Sequence, residues 1–149
     1  MNDTSPPGLT PLLHRIADAL ERLAPKAAPT PDFGAARLFR FELHPERFVA
    51  APDYALPVDL LVGVERQKER FAENLRRFAE GLPANNALLW GVRGTGKSSM
   101  VKAVFMAACA EHPTLRLIEL DRDQLAALHG LFHGLRGRAE KFVVLSDDL

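Results

Sequence analysis

The 149-residue chain has little with which to staple or anchor itself. A single cysteine, Cys109, excludes an internal disulfide and fits a reducing compartment. It lies in an apolar run, where packing explains it better than chemistry. No run of 18 apolar residues exists, so a membrane-spanning helix is not expected. The opening Met1-Asn2-Asp3-Thr4-Ser5-Pro6-Pro7 has neither a charged start nor an apolar stretch, so no signal peptide is visible and a cytoplasmic location is expected. Net charge is absent too. Lys+Arg and Asp+Glu each number 19, which provides no basic field for bulk nucleic-acid affinity and favours self-association.

Against these absences stands one dense motif. Gly91-Val92-Arg93-Gly94-Thr95-Gly96-Lys97-Ser98 fits the pattern Gly, four residues, Gly-Lys-Ser/Thr. Ala87-Leu88-Leu89-Trp90 enters it as a short apolar strand, and residues 98–108 leave it as a helix. Strand, glycine loop and helix is the setting of a phosphate-binding loop. Glycines let the main chain bend around a polyanion. The amides of Gly94 to Ser98 then turn inward as a nest, and the positive end of the helix dipole adds to them. Lys97 is expected to reach the β- and γ-phosphates, and the Ser98 hydroxyl to ligate Mg²⁺.

Elsewhere the pattern alternates between helix and strand. Residues 1–8 read as disordered. Thr10 to Leu23 reads as an amphipathic helix, with Thr10 as cap and a stripe of Leu12, Leu13, Ile16, Ala19, Leu20 and Leu23. The stripe is expected to pack on the chain's own domain, docking to a partner helix being the alternative. Ala24 to Pro31 is a linker, Arg37 to Leu43 a weakly alternating strand, and His44 to Pro57 loop-like. Val58 to Val64 precedes a helix over Glu65–Glu80, closed by Gly81 and Pro83. That helix should turn Phe71, Leu75 and Phe78 inward and leave Arg66, Lys68, Arg70, Arg76 and Arg77 wet. Leu115–Leu120 is a strand, Asp121–His129 a short helix, and Gly130–Lys141 a loop or loose helix. In the latter, Arg136, Arg138 and Lys141 read as a solvated turn. His129 and His133 stand four apart with no third ligand, a surface pattern rather than a metal site. Phe142–Ser146 is a further strand. Alternating strands and helices imply an α/β fold with a parallel sheet.

Phe142-Val143-Val144-Leu145-Ser146-Asp147-Asp148 ends an apolar strand in two carboxylates, as in a Walker B strand. Asp147 is assigned to the metal and Asp148 to the attacking water. Together, Leu60-Leu61-Val62-Gly63, Asn85 to Ser99, Leu115 to Asp123 and Asp147-Asp148-Leu149 closely resemble AAA+-type P-loop ATPases. The nearest group is a bacterial family of uncharacterised ATP-binding domains, domain of unknown function eight-fifteen. The resemblance covers residues 56–149, leaving 1–55 as an N-terminal arm.

The resemblance implies ATP and Mg²⁺ as ligands, Val62 and Gly63 beside the adenine, and Gly91 to Ser99 on the phosphates. It also implies catalytic roles for Lys97 and Asp148, and a ring of copies as a family habit. The protein partner stays unspecified. Two departures stand out. Asp148 takes the place of the usual glutamate, and the sensor strand, arginine finger and helical lid that follow Walker B in such domains are not in this sequence. In the family the sensor strand lies between the loop strand and the Walker B strand. The chain therefore reads as truncated, with Ala87–Trp90 and Phe142–Ser146 lacking a common neighbour and hydrolysis weak or absent. Two other readings compete. The loop also resembles those of compact small-molecule kinases, with Asp121-Arg122-Asp123 as an acidic substrate motif. A non-catalytic adaptor acting through the N-terminal arm is the third.

Overall fold

A computed structural model describes residues 9–23, 31–54 and 56–147. The expectations for residues 1–8, for nearly all of the 24–31 linker and for Asp148 lie outside these.

Four strands form one sheet, in the order β2-β1-β3-β4. They are β1 (Leu38–Leu43), β2 (Glu46–Ala51), β3 (Leu115–Leu120) and β4 (Lys141–Ser146). β1 and β2 form an antiparallel hairpin, while β1–β3 and β3–β4 are parallel. The sheet therefore runs from the hairpin into strands assigned by sequence to the following domain. Period-two alternation on β3 divides its side chains between two cores. Leu115 and Leu117 face α2 (Glu65–Ala79) and α3 (Lys97–Glu111), meeting Leu75, Val101, Phe105 and Cys109. Ile118 and Leu120 face the other way, onto Phe33, Phe39, Phe41 and α4 (Leu128–Leu135) through Leu131 and Leu135. Helices thus cover both faces of a mostly parallel sheet, an α/β arrangement compatible with a P-loop nucleoside-triphosphatase core.

Three local expectations change. The segment after His44 contains β2 rather than loop alone, because Phe48 packs its ring on Phe33 and Phe41, at 5.2 and 5.4 Å between centroids. Pro45 sits in the turn, where it costs the ladder no donor. Residues 128–135 are a regular helix despite Gly130 and Gly134, since Leu131 and Leu135, four apart, are buried together. Before it, Arg122–Ala127 is a 3-10 helix at whose start Gln124 Oε1 accepts the Asp121 N–H at 3.0 Å.

The third change concerns Ala87–Trp90, which forms no strand. Among the described residues β4 has β3 as its one neighbour. An apolar groove lined by Leu89, Val143 and Leu145 separates β4 from this segment. With no strand beside it, the backbone of 87–90 has no ladder to join, and Leu88 and Trp90 are 75% and 88% exposed.

α1 (Leu9–Leu23) begins one residue before the expected Thr10 cap. Its Leu12, Leu13 and Ile16 are exposed rather than packed on the sheet. No described helix is long and apolar enough to cross a membrane.

Candidate functional site

The glycine loop adopts the bent path its composition implies. Gly94 and Gly96 have φ of 83° and 79°, a left-handed region in which an added side chain is strained. Gly96 is the N-terminal cap of α3, so the chain turns directly from the loop into the helix and leaves the first amides of α3 without helical partners. Thr95 Oγ1 donates to the Val92 carbonyl at 2.8 Å and tightens the bend. The Lys97 ammonium donates back to the carbonyls of Gly91 and Val92, at 3.2 and 3.1 Å. An ammonium has three donors. Two of them hold the loop in shape, and the third is available to an anion in the bend. Gly91 to Thr95, Arg93 included, are exposed, while Gly96 to Ser99 are half-buried at the start of α3.

Forty-nine positions along the chain, Asp147 meets this loop. Ser98 Oγ donates to Asp147 Oδ2 at 2.6 Å. The strand that leads into Asp147 and the helix that begins at Lys97 thus bring a hydroxyl and a carboxylate into contact beside the glycine bend. Both are hard oxygen ligands. Mg²⁺ keeps several waters and takes one or two protein oxygens together with substrate phosphates, so this pair suits it without a larger cluster. No group of three or more metal-ligating side chains occurs among the described residues, His129 and His133 included.

A groove of about 830 Å³ opens beside the loop, walled by Leu61, Val62, Phe71, Asn74, Asn85 and Lys97. Its walls are fastened by contacts that sequence reasoning missed. Lys68, assigned to the wet face of α2, instead donates to the carbonyl of Leu61 at 2.6 Å and of Val58 at 3.3 Å. Glu65 accepts the Gly63 N–H at 2.9 Å. Its own amide and that of Gly63 hold the carboxyl below the usual carboxylate range. Asn74 grips the backbone of Asn85 at both ends, accepting its N–H at 2.9 Å and donating to its carbonyl at 2.7 Å. The one signal for this last pair was an amide side chain on the inner side of α2, in line with Phe71 and Phe78. Of the two residues expected beside the adenine, Val62 lines the groove but is 83% exposed, and Gly63 is not among its lining residues.

Other candidates are absorbed by structure. Lys141 donates to the Ala79 carbonyl at 2.6 Å and closes α2, and Arg138 stacks over Phe33 at 5.0 Å. Burial pushes the Cys109 thiol up, which suits packing and not nucleophilic chemistry.

Residues 35–149 match the family described as "Protein of unknown function (DUF815)". The chain belongs to this family. The match begins at β1, so it includes the hairpin and leaves α1 outside. An ORC1-type DNA replication protein of Desulfurococcus amylolyticus is 41% identical over 70 residues. That alignment spans 47% of this chain and 16% of the relative. No solved structure matches the chain significantly. The membership agrees with the resemblance to AAA+-type ATPases carried by the motifs.

Proposed function

We propose that this DUF815-family chain binds a nucleoside triphosphate, ATP, together with Mg²⁺ at the Gly91–Ser98 loop. The observation that carries the reading is the 2.6 Å contact between Ser98 and Asp147, at the mouth of a bend held open by left-handed glycines. The phosphates would lie across the α3 amides and the third donor of Lys97. The base would enter the groove between Val62 and Asn85. Ser98 and Asp147 would hold Mg²⁺, which when bound neutralises charge on the phosphate oxygens. Asp148 would follow as the residue that orients water.

Efficient hydrolysis at such a site takes an arginine finger, which contributes a factor of about 10³–10⁵. The zero formal charge offers no broad attraction to DNA, so the role named for the Desulfurococcus amylolyticus relative is not carried over. The exposed Leu12, Leu13 and Ile16 support a second reading, in which the N-terminal helix docks a partner in response to nucleotide.

Titration with a fluorescent ATP analogue, with and without Mg²⁺, tests the main reading. Wild type should bind more tightly with Mg²⁺, Lys97→Ala should lose most affinity, and Asp147→Asn should lose mainly the Mg²⁺-dependent part. Equal affinity in wild type and Lys97→Ala would end it. Phosphate release without an added acceptor separates a hydrolase from a kinase.

A further inference from the structure

The ion pair between Lys102 and Glu119 stands next to the candidate cation site, and nothing in the proposed binding uses it. Its side chains are 24% and 22% exposed, against 36–54% for the ion pairs on α2 and the hairpin. Lys102 lies four residues beyond Ser98 on α3, so the two share one helix face, with Cβ atoms roughly 5–6 Å apart. Glu119 is paired with Leu145 across β3 and β4. Side chains alternate along a strand, so Glu119, Leu145 and the next residue in phase, Asp147, project toward α3. The Ser98–Asp147 contact confirms that direction for Asp147. Tyr54 places its ring over the Lys102 ammonium, 5.7 Å from its centroid, and shields that side from water. Lys102 is thus a partly sheltered positive charge one helical turn from the place where a dication would sit. Lys97, at the start of the same helix, faces the loop carbonyls instead.

We propose that Glu119 is a charge-compensating residue of this site: by neutralising Lys102 it removes a repulsion that would otherwise weaken the cation held by Ser98 and Asp147. The proposal rests on reading those two residues as a Mg²⁺ site. Its signature is a difference of sign. Glu119→Gln leaves Lys102 uncompensated and repels the cation. Lys102→Met leaves Glu119 uncompensated and attracts it. A merely structural salt bridge would make both variants worse together.

The test is Mg²⁺ titration of the full chain saturated with a fluorescent ATP analogue, for wild type, Glu119→Gln, Lys102→Met and the double variant. Thermal melts serve as the check on folding. At the dielectric of a partly shielded site, one unit charge beside a dication changes affinity by roughly tenfold or more. Apparent Mg²⁺ affinity should therefore fall about that much in Glu119→Gln, hold or rise in Lys102→Met, and return near wild type in the double variant. A parallel loss in both single variants overturns the proposal, as does a Glu119→Gln variant within twofold of wild type. Should Glu119→Gln fail to fold, a weakened Lys102→Met overturns it alone. A wild-type chain that binds the analogue with no response to Mg²⁺ removes the cation site itself, and the compensation with it. A wild-type response with same-sign variants removes the compensation only.

Discussion

Gly96 shows how one residue ties backbone geometry to binding. It caps α3 with φ 79° and ψ 18°. An L-residue there costs about 1–2 kcal/mol, and nothing lies within 4 Å of an added Cβ, so the penalty is conformational and not a clash. Gly96→Ala should therefore fold with a loss of about that size in denaturant unfolding. It should lose nucleotide affinity out of proportion, because relaxing the bend re-aims the amides that follow. Equal fractional losses in stability and affinity would argue against the nest. At this scale the loop was readable in the sequence because its chemistry is local: glycine, lysine and serine at fixed offsets. The grips of Lys68 on Leu61 and of Asn74 on Asn85 were not. A side chain that bonds a distant backbone group leaves no periodic trace, and Lys68 looked like any solvated lysine.

At the scale of elements, the segments that wall the groove are held by few bonds, and two substitutions probe them. Asn74→Ala removes both hydrogen bonds to Asn85, which is expected to cost about 1–2 kcal/mol at a largely exposed site. It also frees the approach to the loop, so the variant should show faster amide exchange over residues 84–90 with α3 unchanged. Glu65 supplies a pH dependence. Its carboxyl is held below its ordinary value near 4.5 by backbone donors. A depressed folded value means that its contribution is fully present above the ordinary value and is lost as pH falls through the lowered one. The melting temperatures of wild type and Glu65→Gln should differ at pH 7, and the gap should close as pH falls below the ordinary value and through the lowered one. A gap unchanged by acid would show that the Gly63 contact contributes nothing. The apolar run of β4 was legible because a parallel strand that packs side chains on both faces reads as continuous hydrophobicity, even though its residues are half-buried. The same reasoning misjudged residues 87–90, since an apolar run becomes a strand only beside another strand. β2 was hidden by the prolines that flank it and α4 by its glycines; the packing of half-buried Phe48 decides the first and the burial of Leu131 and Leu135 the second.

For the whole molecule, the two cores meet at β3, and α3 joins one of them to the site: its Val101, Phe105 and Cys109 pack on β3 while its first turn carries Lys97 and Ser98. Phe105 is fully buried. Its replacement by alanine should cost about 3–5 kcal/mol, a large share of a total stability of about 5–15 kcal/mol, and should loosen the site together with the core. The α/β class was legible from alternation, whereas the attachment of the hairpin was not. It depends on β1 pairing with β3, Leu38 with Leu117 and Arg40 with Glu119, and no local pattern records such a distance. This joining also makes binding readable as stability. A ligand that binds the folded chain alone stabilises it by RT ln(1 + [L]/Kd), about 2.7 kcal/mol at a hundredfold excess over Kd. ATP with Mg²⁺ should raise the melting temperature of wild type in proportion to log concentration. Lys97→Ala should not shift with ligand, yet should melt near wild type in its absence. The reason is that Lys97 contributes two exposed bonds to loop carbonyls and nothing to either core. A ligand-induced shift surviving in Lys97→Ala would place the binding somewhere other than this loop.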